Sequence, residues 1–187
     1  MRPIPARRVL FPPLFLLICI SCYDEFSNTW NGYRIEKGSH YSKGRILSSI
    51  HGNRLLFDAV FTKECLHDST IKDLNKLYGF IDVNSSVHRN SARFAWVSTG
   101  KKIDIYVYLY RDGVRHFEKI GETLPEERHS FEIRAKRNRY TFKFDSVERS
   151  FNRWHYTDHG TRLRLYPYFG GNLPAPNDML ILIFEKD

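Results

Sequence analysis

The feature that most constrains this chain is an alternation of period two that returns along most of its length. Ile103, Ile105, Val107 and Leu109 form one row, and Asp104, Tyr106, Tyr108 and Tyr110 interleave as a second. Successive side chains of an extended strand project to opposite faces, so this segment reads as a strand with an aliphatic core face and a polar-aromatic face. Asp112-Gly113 follows, a pair that tolerates the positive φ values of a two-residue hairpin turn, and Val114–Ile120 then reads as the returning strand. Ala92, Phe94 and Trp96 alternate with Ser91, Arg93 and Ala95, and Arg162-Leu163-Arg164-Leu165-Tyr166 alternates again. Leu55–Phe61 reads as a further strand. Phe131, Ile133 and Ala135 lead through a turn near Arg137-Asn138 into Tyr140, Phe142 and Phe144, a second hairpin. The continuous apolar run Met179–Phe184 suits a strand buried on both faces. One short helix is expected at Ser69–Leu77, with Ser69 or Thr70 near its cap. Many strands joined by short turns predict an all-β domain: a two-sheet antiparallel jelly-roll sandwich with at most one short helix.

The N-terminus does not belong to that pattern. Arg2, Arg7 and Arg8 precede an apolar run from Val9 to Ile20, interrupted by Pro12-Pro13, and no acidic residue occurs before Asp24. A membrane-spanning helix needs about 20 apolar residues, so this segment reads as an export signal instead. The junction Cys19-Ile20-Ser21-Cys22, a small residue directly before a cysteine, resembles the lipobox of bacterial lipoproteins. Asp24-Glu25 resembles the export tag of surface-displayed lipoproteins in Bacteroidota. Those lipoproteins usually carry Leu where this chain has Cys19. The resemblance implies a signal over residues 1–21, acylation at Cys22, a tether over 22–31, a single domain over 32–187, and a lipid-anchored place in the outer membrane or at the cell surface. An ordinary cleaved signal, with Cys22 incidental, is the other reading.

Removing residues 1–21 takes away three arginines and no acid, which lowers the net charge from +8 to +5. The lysines and arginines are scattered and form no block of the nucleic-acid-binding kind, so nucleic acid is not an expected partner. The charge suits anionic glycans or lipid headgroups, and equally an ordinary solvated surface. With Cys22 acylated, Cys65 is the one cysteine left outside the signal, and it reads as a buried structural residue.

The pattern Phe-x-Ile-x-Ala, turn, Tyr-x-Phe-x-Phe within Ser130–Asp145 resembles the central strands of concanavalin A-like lectin and glucanase jelly rolls. That likeness implies a carbohydrate-related sandwich. The residues themselves offer a face to match. Tyr106, Tyr108 and Tyr110 share one side of their strand, and Arg93 together with Arg162, Arg164 and Tyr166 divides in the same way on its own strands. Aromatic rings cover the C–H patches of a pyranose, and a guanidinium fork suits hydroxyls or uronate carboxylates. Cross-strand aromatic pairing that only stabilises the sheet would produce the same row. His88, in the polar loop before Arg93, could stand at one end of the face or serve as a surface hydrogen-bonding group. Tyr168 lies in the Pro- and Gly-rich loop Tyr166–Asp178, suited to the rim of a sandwich. Asn172, Asn177 and Asp178 in that loop could donate oxygen to Ca²⁺, although one carboxylate is few for such a site, and no cofactor is otherwise implied.

Enzyme signatures are missing. No Gly-x-Ser-x-Gly elbow or phosphate-binding glycine loop occurs, no Cys-x-x-Cys occurs beyond the signal junction Cys19–Cys22, and His155 and His159 lack the glutamate of a zincin helix. The Glu-x-Asp-x-x-Glu strand of jelly-roll glucanases, which sets two carboxylates across the scissile bond, is also missing. Jelly-roll lyases instead use a Tyr or His base beside Arg. His88, Arg93, Tyr106 and Tyr108 supply those residue types, without the strand motifs of alginate lyases. The expected function is therefore a non-catalytic carbohydrate-binding or accessory domain. A lyase acting on an acidic glycan, with His88 or a tyrosine as base, and a structural or protein-interaction lipoprotein are the alternatives.

Overall fold

A computed structural model describes residues 29–44, 47–71, 73–154 and 157–186. The expected signal, Cys22 and His155 lie outside the described residues. The strands are β1 (Asn31–Ile35), β2 (Ser49–His51), β3 (Arg54–Phe61), β4 (Asn75–Ile81), β5 (Ser91–Ser98) and β6 (Ile103–Arg111). They continue with β7 (Val114–Thr123), β8 (Arg128–Lys136), β9 (Arg139–Phe144), β10 (Val147–Asn152), β11 (Thr161–Leu165) and β12 (Met179–Lys186). Two six-stranded antiparallel sheets result, ordered β1-β12-β3-β8-β9-β10 and β2-β11-β4-β5-β6-β7. The chain is an all-β jelly-roll sandwich.

The turns that the sequence marks close as expected. Arg111 pairs with Val114 across Asp112-Gly113, whose φ values are +46° and +83°. Lys136 pairs with Arg139 across Arg137-Asn138, with Arg137 at φ +51°. Between the sheets lies an aromatic core. Phe57 stacks on Phe131 at 5.1 Å, and Phe94 meets Phe131 at 5.0 Å and Phe142 at 5.4 Å, both edge-on. Ile103, Ile105, Val107 and Leu109 all face this core.

Three expectations are corrected. Ser69–Leu77 is not a helix: among the described residues the one helical element is a 3-10 turn at Lys63–Cys65, and Asn75–Leu77 open β4. Tertiary bonds override the local preference there. The Asp73 carboxylate accepts the N–H groups of Gly171, Asn172 and Leu173, and Asn75 Oδ1 accepts that of Gly170 at 2.6 Å. The second correction concerns β12, which is buried on one face only. Met179, Ile181 and Ile183 enter the core while Leu180, Leu182 and Phe184 lie partly open on the outer face. The third is the facing of β11. Arg162 is fully buried between the sheets and Leu163 is exposed, the reverse of the expected division.

That reversal has an electrostatic cause. Asp82, just past β4, is also fully buried and takes an ion pair from Arg162 at 3.2 Å and from Arg153 at 2.6 Å. The Tyr140 hydroxyl donates to the same carboxylate at 2.6 Å. A carboxylate held inside the sandwich lets an arginine be the buried partner in the row. Arg164 follows Arg162 inward and pairs with Glu185 at 2.5 Å, while the Tyr166 ring packs 5.6 Å from Tyr33 and 5.8 Å from Tyr78.

Candidate functional site

The outer face of the second sheet carries a long groove in two adjoining lobes of about 820 and 740 Å³, which share Lys76, Tyr108, Arg115 and Gly171 in their walls. Strand register builds its floor. Gly79 on β4 faces Arg93 on β5, Arg93 faces Tyr108 on β6, and Tyr108 faces Phe117 on β7. The neighbouring rungs are Ser91–Tyr110–Arg115 and Ala95–Tyr106–Lys119. On β5 and β6 one row therefore makes the core and the other makes the groove.

Glycine at 79 is a requirement of this floor. A Cβ there would sit 2.2 Å from the Ala92 carbonyl oxygen and 2.4 Å from Arg93 Cβ. The bare backbone leaves the Arg93 side chain room to lie across β4, where it is only 7% exposed. Its guanidinium carbon stands 5.2 Å from the centre of the Tyr108 ring. Lys76 Nζ stands 5.4 Å from the same ring and 5.6 Å from that of Tyr168. Two cations thus crowd one phenol.

Lys76 was not legible as a site residue. Strict alternation puts it opposite Gly79, but a bulge between the two shifts the register, so Lys76 pairs with Ala95 and shares the groove face. Its backbone bridges to Tyr168, with Lys76 N–H donating to the Tyr168 carbonyl at 2.8 Å, and its ammonium donates to the Gly170 carbonyl at 2.7 Å. Burial, and next the neighbouring Arg93 charge, push the Lys76 amine down to about 8. Burial likewise lowers Arg93 from the usual guanidinium value, against the nearby phenols of Tyr108, Tyr110 and Tyr168. The Tyr108 phenol is raised, chiefly by burial and then by Tyr110.

Of the sequence candidates, Arg93, Tyr106, Tyr108, Tyr110 and Tyr168 come together along this groove. His88 stands exposed at one end, edge-on to Tyr110 at 5.3 Å. Tyr108 differs from its neighbours: it is 4% exposed beneath the two cations, whereas Tyr106 and Tyr110 are half-open. The groove reaches Arg164 and Tyr166 only from behind, because both side chains turn inward, Arg164 to Glu185 and the Tyr166 hydroxyl to Ser48 at 2.7 Å. Phe117, half exposed on the edge strand, and Arg115 are groove residues that the alternation argument passed over. Asn177 and Asp178 of the Tyr166–Asp178 loop are engaged elsewhere. Asp178 accepts the Lys37 N–H at 2.9 Å and faces Arg34, while Asn177 donates to the Glu64 carbonyl at 2.7 Å. Two carboxylates line the groove among the described residues. Asp73 is committed to the three N–H groups named above, and Asp104 to Lys119 at 2.8 Å.

No family model and no curated protein matches the chain. Solved structures do. A Bacteroides ovatus family 16 glycoside hydrolase, from a mixed-linkage glucan system and in complex with its product, is similar with a TM-score of 0.55 at 12% identity, over 86% of this chain and 81% of that one. The catalytic domain of an endo-1,3-β-glucanase from Thermotoga petrophila is similar with a TM-score of 0.55 at 12% identity, over 84% and 76%. The fold is shared with these glucanases. A family 7 alginate lyase in complex with product is similar with a TM-score of 0.53 at 10% identity, over 86% and 80%. At such identities the likeness establishes the jelly roll, as the Ser130–Asp145 pattern suggested, and leaves the chemistry to the residues of the groove.

Proposed function

We propose that the chain is an exported, lipid-anchored glycan-binding protein whose groove holds an oligosaccharide without cleaving it. The observation that carries this reading is the groove floor, where half-open rings of Tyr106, Tyr110 and Phe117 flank a centre of Arg93, Lys76 and Tyr108. Open rings offer stacking surface to pyranose faces, and the length of the two lobes suits a chain of sugars. The absence of a free carboxylate pair among the described lining residues favours binding over hydrolysis, since glycosidases need two carboxyl groups about 5–9 Å apart across the bond. Two of the fold neighbours, a glucanase and an alginate lyase, are in complex with product, which supports a sugar as the ligand.

Electrophoresis of the unlipidated domain through gels containing neutral and acidic polysaccharides tests the reading. Retardation is expected in at least one, and a Tyr106→Ala, Tyr110→Ala double variant with unchanged thermal stability loses it. No retardation across the panel would leave a structural or protein-binding role in its place. The anchor is tested separately. Cys22→Ser should abolish labelling by radioactive palmitate and move the protein from the membrane to the soluble fraction.

One observation favours a second reading, a lyase acting on an acidic glycan. Lys76, with its amine near 8, is a base placed beside a phenol and a guanidinium, and such a group can take the proton next to a uronate carboxyl. Absorbance from unsaturated uronates, lost in Lys76→Met, would replace the binding reading with this one.

A further inference from the structure

The groove centre holds more positive charge than its surroundings answer. Arg93 is nine-tenths buried, its Nε has no hydrogen-bond partner among the described residues, and none of the described carboxylates pairs with it. Lys76 lies close enough for its charge and that of Arg93 to oppose each other, and Arg115 adds a third. The one nearby acid, Asp73, held in place by three backbone N–H groups, offsets part of the Lys76 charge, and a single carboxylate stands against three cations. Desolvated like charges cost stability unless an opposite charge offsets them. The other deeply buried arginines among the described residues have that charge: Arg153 and Arg162 share Asp82, and Arg164 has Glu185. The groove centre is the exception, and it opens to solvent through both lobes.

We propose that Arg93, Lys76 and Arg115 form an anion subsite at the junction of the two lobes, which takes the carboxylate or sulfate substituent of a sugar whose neighbours lie on Tyr106 and Phe117 on one side and Tyr110 on the other. The inference rests on the glycan-binding reading and narrows it to anionic glycans. The guanidinium offers a planar fork for two oxygens, and the ammonium a third donor from another direction. The Tyr108 ring is covered by both cations, so its part is to hold them in place, and the sugar-stacking rings are its half-open neighbours. An anion here relieves the repulsion between Lys76 and Arg93, so binding draws on charge that folding has already buried. That is preorganisation in the electrostatic sense.

Calorimetric titration with paired probes tests this. One pair is tetragalacturonate and its methyl ester, the same sugar with and without charge. The other is a sulfated carrageenan tetrasaccharide and its desulfated form. In at least one pair the charged probe is expected to bind at least tenfold more tightly than its neutral twin, and the pair that shows the difference identifies carboxylate or sulfate as the natural group. Arg93→Met is expected to erase the difference and Arg93→Lys to retain part of it, since charge survives and the fork does not. Arg115→Ala, on an exposed side chain that folding does not need, is expected to reduce the difference severalfold. Equal binding of charged and neutral probes in both pairs, with tight binding retained, overturns the anion subsite and leaves the glycan reading standing. No binding of any of the four overturns both.

Discussion

Two groups of buried cations sit on opposite faces of the same sheet, and they differ in one respect. On the inner face, Arg162 from β11 meets Arg153 around the Asp82 carboxylate, which also accepts from Tyr140. On the outer face, Arg93 from β5 meets Lys76 over a phenol, with no carboxylate between them. The inner group is closed: Arg153 also donates to the carbonyls of Arg137 at 2.9 Å and Thr157 at 2.5 Å, and Arg162 reaches the carbonyl of Gly52. The outer group is open. A buried cation with its counter-charge in place acts as a strut, and one without it is poised for a charge from outside the protein.

The inner group yields the largest expected effect. Asp82→Ala removes the shared acceptor and leaves two arginines fully buried without it, a loss of about 3–5 kcal/mol by analogy with other broken buried pairs. Urea unfolding followed by tryptophan fluorescence measures it. The cost also has a direction in pH. Burial raises the Asp82 carboxyl, but the hydrogen bonds from Arg153 and Tyr140 more than reverse this and hold it below the ordinary carboxylate value. The stability it contributes is therefore present above the unfolded value near 3.8 and is lost as pH falls through the lower folded value. A loss below about 1 kcal/mol in Asp82→Ala would mean that the inner group is no strut.

Gly79→Ala comes next. The added methyl meets backbone at 2.2 Å, so β4 or β5 must shift, at a cost of about 1–3 kcal/mol typical of overpacking. The same shift displaces Arg93, so glycan affinity should fall in step with stability. A stable variant that has lost binding would show that Arg93 placement alone is at stake.

Arg93→Met should leave stability within about 1 kcal/mol of the parent or raise it, because it removes an unanswered buried charge and keeps the volume. Arg153→Met, the matching change on the inner face, should cost about 3 kcal/mol or more by leaving Asp82 with one fewer partner. The two unfolding midpoints decide between open and closed. Equal losses would make Arg93 another strut.

Alternation and turn pairs made the sandwich readable, because a period of two and an Asp-Gly hairpin are local facts. The same reading found the tyrosine face of β6, whose aliphatic row left no doubt about the inner side. It failed on β11, where Arg162-Leu163-Arg164 offers two rows and the choice between them rests on Asp82 and Glu185, residues distant in sequence. It failed on Lys76 because a bulge breaks the period between Lys76 and Gly79. The expected helix at Ser69–Leu77 failed for a related reason: Asp73 and Asn75 spend their side chains on the loop at 170–173, a partner that no local window contains. Parity rules place residues on faces. They do not say which face a charge can afford.

The smallest expected effect separates the two faces by pH. Lys76 titrates near 8 in the folded protein, lowered by burial and then by Arg93, with Asp73 acting against them and Arg115 adding to them. Its unfolded value is near 10.5. Between these values the unfolded chain holds a proton that the folded one has released, so this group's contribution to stability rises as pH increases from about 8 to about 10.5 and is constant below that window. Anion binding should run the other way, weakening as pH passes 8 and the ammonium is lost, while Arg93 keeps its charge and Tyr108, raised by burial, remains a neutral phenol. Other tyrosines and lysines titrate in the same window, so the measurement is a difference between the parent and Lys76→Met. Urea midpoints and tetragalacturonate affinities are compared at pH 7 and pH 9.5. Relative to the variant, the parent should gain stability and lose affinity across that interval. If both quantities moved in the same direction, Lys76 would belong with the closed group on the inner face, and the division between the two sites would have to be redrawn.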